Sequence, residues 1–131
     1  MNNQFFQRWQ IDGVANEKYD VDNIAWTSEG LVFVVVPDGT APDRSVQKLS
    51  LIWESSSVIS YHVTDETYRP DCWRLDFEAN GRFYATTTSE YIDKLKDNSP
   101  LIPDRVIHFT IVGTNTIVDL LAKDYPKAKI E

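Results

Sequence analysis

The chain has 131 residues, 42% of them apolar, with 13 Lys and Arg against 20 Asp and Glu, which is the make-up of one ordinary domain able to bury its own core. The net charge of −7 lies entirely in the first 80 residues, since residues 81–131 hold seven acids and seven bases. Such a field repels phosphates and anionic lipid heads and attracts basic partners, so direct binding to nucleic acid or a membrane surface is not expected.

Residues 4–11, which include FFQRWQI, form a candidate first strand. Segments 20–27 and 30–36 flank a turn at Ser28, Glu29 and Gly30, as in a β-hairpin, and LVFVVV is β-branched on both faces, which suits a central strand. PDGTAPD, from Pro37 to Asp43, is dense in turn formers and reads as a loop. Leu49, Leu51 and Trp53 alternate with polar residues, and Ile59, Tyr61 and Val63 repeat the pattern, so both segments read as half-buried strands. WRLDFEA and RFYATTT are joined by Asn80 and Gly81, a dipeptide that accepts the positive φ angles of a type I′ hairpin turn.

Two helices are expected after these strands. The first lies near 88–97, with Thr87 and Glu90 in capping-box spacing and Pro100 beyond its end. After a strand over RVIHFTIV, the second lies near 115–124, where Ile117, Leu120 and Leu121 make a one-sided stripe and Thr116 with Asp119 fit a cap. Pro126 would end it, and Lys123, Lys127 and Lys129 would suit its C-terminal dipole. No repeat or linker divides the chain, so the expected fold is one α+β domain over 1–131: a mainly antiparallel sheet of about six to eight strands with two short helices.

Catalytic constellations are sparse. His62 and His108 stand 46 residues apart and each reads as a structural residue within a strand, which is too few ligands at too wide a spacing for a metal site. Cys72 lacks a basic cluster beyond Arg69 and Arg74, no serine sits in a G-x-S-x-G elbow, and no Gly-rich phosphate loop is present. We therefore expect neither an enzyme nor a metal or cofactor. The lone cysteine and the absence of an apolar leader make the cytoplasm the expected compartment.

The four tryptophans could line a sugar-binding face, but Trp26 and Trp53 continue apolar stripes and read as core. Trp73 differs, because DETYRPDCWRLD mixes aromatic and charged residues as a protein-binding surface does. Asp65, Glu66, Tyr68, Asp71 and Trp73 are the first choice for partner contact, with Asp20 and Asp22 in reserve.

SYHVTDETYR, FYATTTSEYIDKL and IHFTIVGTNTIVDLLAKDYP, in this order, resemble segments of small acidic immunity proteins from bacterial contact-dependent inhibition and related polymorphic-toxin systems. The resemblance covers residues 46–130, with Phe109 where the family pattern has Tyr. It implies a protein that binds and neutralises a cognate toxin domain, with a nuclease as the expected target, and it transfers no partner-binding residue. The acidity agrees, because nuclease sites are basic in order to hold phosphate. A carbohydrate or small-ligand binding module rich in β-structure is the alternative, and a small enzyme using one of the histidines is a third.

Overall fold

A computed structural model of the chain describes residues 7–9, 11, 19–37, 48–65, 83–99, 101, 103–113 and 116–130. They form β1 (Gln7–Arg8), β2 (Tyr19–Thr27), β3 (Gly30–Pro37), β4 (Leu49–Trp53), β5 (Val58–Asp65), β6 (Phe83–Thr86), α1 (Glu90–Asn98), β7 (Ile107–Val112), β8 (Thr116–Ala122) and β9 (Lys127–Ile130). Two antiparallel sheets result, one ordered β1-β6-β7-β8-β5 and the other β2-β3-β4-β9.

One face of each sheet supplies the core. Leu31, Phe33 and Val35 from β3 and Leu49, Leu51 and Trp53 from β4 are fully buried against Phe83, Ile107, Phe109, Ile111, Val118 and Leu120 from the larger sheet. Leu49, Leu51 and Trp53 share the core face as expected, but the strand is not half-buried, because Ser50 and Ile52 on its other face are buried too. The ring of Trp53 sits edge-on to Phe33 at 5.5 Å and to Phe109 at 5.2 Å. Edge-to-face contact places the positive rim of one ring on the negative face of the next, which adds direction to an otherwise non-directional core. Trp9 closes one side of it, with its ring 5.1 Å from Phe109 and 5.8 Å from Tyr125.

α1 lies on the opposite face of the larger sheet. Ile92 is its buried residue and packs with Val106 and Leu121, while Ile59, Tyr91 and Leu95 complete this second, smaller cluster. The N-cap is Ser89 rather than the expected Thr87: its Oγ accepts the Ile92 N–H at 3.2 Å, satisfying one of the donors that every helix start leaves open.

The second expected helix is absent; its residues form β8. IVDLL is a nearly continuous apolar run, and such a run fits a buried strand as well as a helical stripe. The strand wins because β8 is paired on both edges, to β7 and to β5, so every position from Thr116 to Ala122 enters a ladder. Ile117 and Val118 carry branched side chains that suit that setting, and from Ile117 to Ala122 every residue is buried. Lys127 and Lys129 consequently belong to the exposed strand β9, not to a helix terminus. The architecture is thus β-rich, with nine strands and one helix among the described residues.

The β2–β3 hairpin turns through Ser28 and Glu29, as the sequence suggests, and Gly30 has φ 130°. A Cβ there would lie 2.1 Å from the Trp53 carbonyl oxygen on the neighbouring strand. Gly30→Ala combines a disfavoured backbone region with a backbone clash, so we expect a loss of at least ~2 kcal/mol of stability, measured by urea denaturation.

Candidate functional site

The outer face of the larger sheet holds a buried polar chain of four residues. His108 is in β7 and Asp119 is its diagonal neighbour in β8; His108 Nε2 lies 2.7 Å from Asp119 Oδ1, and the Thr110 hydroxyl donates to the same oxygen at 2.9 Å. A carboxylate only accepts, so Nε2 carries a proton, and in the neutral ring Nδ1 is left to accept from the Ser89 hydroxyl 2.9 Å away. Ser89, His108 and Asp119 are 2%, 1% and 0% exposed.

A serine, histidine and aspartate in sequence have the connectivity of a nucleophile triad. Here the serine oxygen is committed to capping α1, and the whole chain of contacts lies beneath that helix. What the arrangement does is tie the helix start to the middle of the sheet. The Tyr91 ring meets His108 edge-on at 5.3 Å, and its hydroxyl bonds the hydroxyl of Ser60 on β5. Burial raises the Tyr91 phenol above its ordinary range; the Ser60 hydrogen bond opposes this and the Asp119 charge adds to it.

A different kind of site lies where the strands that end the two sheets, among the described residues, come together. β5 ends one sheet and β2 ends the other. Sequence alternation places Trp26, Tyr61 and Val63 in the core, but they are 54%, 39% and 43% exposed. Their direction is as expected: Tyr61 pairs with Leu120, Val63 with Val118 and Trp26 with Leu31, all core residues, and paired residues share a face. Coverage is what fails, because an edge strand has a partner sheet over only part of its face. The rings of Trp26 and Tyr61 instead cover each other at 6.4 Å, and Tyr61 meets buried Phe33 edge-on at 6.2 Å. The surface pair is thereby anchored to the core.

Acidic positions lie further along the same two strands, to one side of this patch. Asp20 is on β2, and Asp22 is exposed at a break in the β2 register between Val21 and Asn23. Asp65 ends β5 opposite Thr116, whose carbonyl accepts the Gly113 N–H at 2.8 Å. Gly113 in turn lies against the backbone of Asp20 and Val21, since a Cβ on it would be 3.6 and 3.5 Å from them. The first-choice position Asp65 and the reserve positions Asp20 and Asp22 therefore share one end of the molecule. Glu66, Tyr68, Asp71 and Trp73 lie outside the described residues, as does the Asn80 and Gly81 turn. Along β5, the strip from Tyr61 to Asp65 is roughly 13 Å long at about 3.3 Å per residue.

Among the described residues no cluster of His, Cys, Asp or Glu could hold a metal ion, and no helix is long and apolar enough to cross a membrane. Comparison of the chain with protein-family models, with curated proteins and with solved structures finds no match. Sequence patterning missed both the Trp26 and Tyr61 patch and the buried polar chain. The available signal for the second was a single ionisable residue inside each of two apolar runs, IHFTIV and TIVDLLA.

Two outcomes test the buried chain. Asp119→Ala strands the His108 ring N–H and the Thr110 hydroxyl, and removing one member of a buried pair costs about 3–5 kcal/mol; urea denaturation should show that loss, with faster hydrogen exchange across α1. Because the folded phenol of Tyr91 holds its proton more tightly than an unfolded one, its contribution is complete below the unfolded value near 10.0 and declines as pH rises through the higher folded value. Tyr91→Phe should therefore flatten the alkaline loss of stability in chemical denaturation followed from neutral pH upward.

Proposed function

We propose that this protein is an immunity protein, an acidic domain that neutralises a basic toxin domain by binding it, with a nuclease as the toxin. The observation that carries the reading is the Trp26 and Tyr61 pair, exposed where the terminal strands of the two sheets meet, with the acidic positions Asp20, Asp22 and Asp65 further along the same two strands, toward one end of the molecule. Large aromatics at the centre of a patch and charges at its rim are the anatomy of a protein interface. The net charge of −7 supplies the matching long-range field toward a basic surface.

Both edge strands also carry a register shift, between Val21 and Asn23 in β2 and between Val58 and Ser60 in β5. Bulges interrupt the regular row of backbone donors and acceptors that an incoming strand would need. Binding at this margin consequently runs through side chains, with rings as anchors and carboxylates as guides. Occupying a nuclease's basic cleft is the action such a surface suits; cytoplasmic residence is part of the same proposal, because the toxin meets its nucleic-acid substrate there.

The test is binding to the toxin domain encoded beside this gene, followed by stopped-flow mixing at two salt concentrations. Reversing Asp20, Asp22 and Asp65 together to Lys should slow association and weaken its salt dependence, whereas Trp26→Ala or Tyr61→Ala should mainly speed dissociation, by about 2 kcal/mol for a hot spot. An association rate indifferent to salt and to the reversals, with dissociation unchanged in the aromatic variants, would overturn the reading.

A further inference from the structure

A cavity of about 300 Å³ opens at the other end of β7 from Gly113, where β6 leaves the larger sheet and β7 enters it. Ala85 and Ile107 form an apolar floor, Thr86, Thr87 and Thr88 form one wall, and Arg105 and Tyr125 complete the lining. Thr86 is occupied locally, donating to the Thr88 carbonyl at 3.0 Å and accepting the Thr88 N–H at 3.1 Å. That bonding, with the Thr88 hydroxyl also 3.5 Å from that of Thr86, holds the wall in shape, and the side chains of Thr87 and Thr88 are exposed along it. Tyr125 is half exposed and braced from behind by Phe109, whose ring is 5.2 Å away and nearly perpendicular.

The charge of this cavity opposes that of the molecule. In a chain of net charge −7, the one charged residue among the described residues that line it is Arg105. Asp104 and Asp124 adjoin the lining residues in sequence, but both are exposed and neither lines the cavity. A guanidinium fork matches an oxyanion with two parallel N–H donors, and flanking hydroxyls extend that set. A volume of this size is at the lower end of small-molecule sites.

We propose that this cavity binds a small carboxylate carried on a flat apolar body, with Arg105 pairing the carboxylate, Thr87 and Thr88 hydrogen-bonding it, and Tyr125 with Ala85 and Ile107 packing the body. The charge selects a carboxylate over a phosphate dianion: one guanidinium neutralises one negative charge, and among the described residues no lysine or second arginine lines the cavity. The ring and apolar floor would contribute little to a bare inorganic anion. The site stands apart from the Trp26 and Tyr61 margin, so it neither needs nor supports the immunity reading.

The experiment is a titration of the full chain with benzoate, benzamide and inorganic phosphate, followed by amide chemical shifts in two-dimensional NMR. Benzoate should shift Thr86, Thr87, Thr88, Ile107 and Tyr125 saturably, while benzamide, which has the same shape without the charge, binds at least tenfold more weakly. Arg105→Gln, an exposed and conservative change, should weaken benzoate at least tenfold while leaving the remaining amide spectrum in place. Inorganic phosphate should be weaker than benzoate. Linear, non-saturating shifts, equal binding of benzamide, or an unaltered benzoate affinity in Arg105→Gln would each overturn the site, and phosphate binding as tightly as benzoate would overturn the assigned ligand class.

Discussion

A carboxylate in the middle of a fully paired strand sets the terms for the larger sheet. Asp119 is enclosed on β8, and an isolated buried carboxylate would be prohibitively costly. His108 and Thr110 on β7 meet that demand directly, and Ser89 meets the other end of the His108 ring. Because Ser89 is also the N-cap of α1, the solution to a desolvation problem in the sheet fixes where the helix begins. With α1 seated there, Ile92 and Leu95 reach Val106 and Leu121, and the second hydrophobic cluster follows. Hydrogen bonds of this kind add modest net stability but exclude alternative packings, since any shift of helix or register would strand a buried polar atom.

Covering one face of the larger sheet with a helix leaves its other face to the smaller sheet, and two sheets of five and four strands do not cover one another to the edge. The exposed aromatics are the consequence. Trp26 and Tyr61 point with the core residues of their strands yet run out of partner, and they are retained at the margin as a braced pair. An open margin of this sort invites edge-to-edge association, and the register shifts in β2 and β5 make it a poor template for another strand. On the far side of the smaller sheet the edge strand β9 is short and carries Lys127 and Lys129, a second way of discouraging the same event.

Much of this order was legible in the residues. The turn through Ser28 and Glu29, the buried stripe Leu49, Leu51 and Trp53, the position of the helix after Thr88, and the strand containing His108 all follow from local patterning, because each depends on period or turn chemistry. What local pattern does not encode is which strand is central and which is terminal. In the stretch 115–124, Ile117, Leu120 and Leu121 match a helical stripe, but β7 just before it and β5, some fifty residues earlier, pair with its two edges, and the second of these partners is invisible to local pattern. Tyr61 and Trp26 were misplaced for the complementary reason: alternation gives the face, and burial depends on what lies over it. Asp65 stands out in the sequence because charge and aromatic residues coincide there, and Asp20 and Asp22 by their charge; their sharing one end of the fold comes from the contact of Gly113 with β2, which has no sequence signature.

The same strand, β7, separates two environments of opposite sign. Its C-terminal end leads to Gly113 and the acidic positions of β2 and β5, whereas its N-terminal end opens beside Arg105 and the threonine wall. Six residues in extended form place these ends about 17 Å apart, beyond the ~8 Å Debye length of physiological salt. If the acidic margin binds a basic macromolecule and the cavity a small anion, as proposed, the field of the one therefore does not cancel the local pull of Arg105 on the other. Coupling between them would have to pass through the packed core, where Tyr125 touches Phe109, Phe109 touches Trp53, and Trp53 touches Phe33 beneath Tyr61. A row of rings couples two sites only where it has two discrete arrangements that both sites bias. With charges screened over this distance, occupancy at one proposed site is expected to leave affinity at the other unchanged.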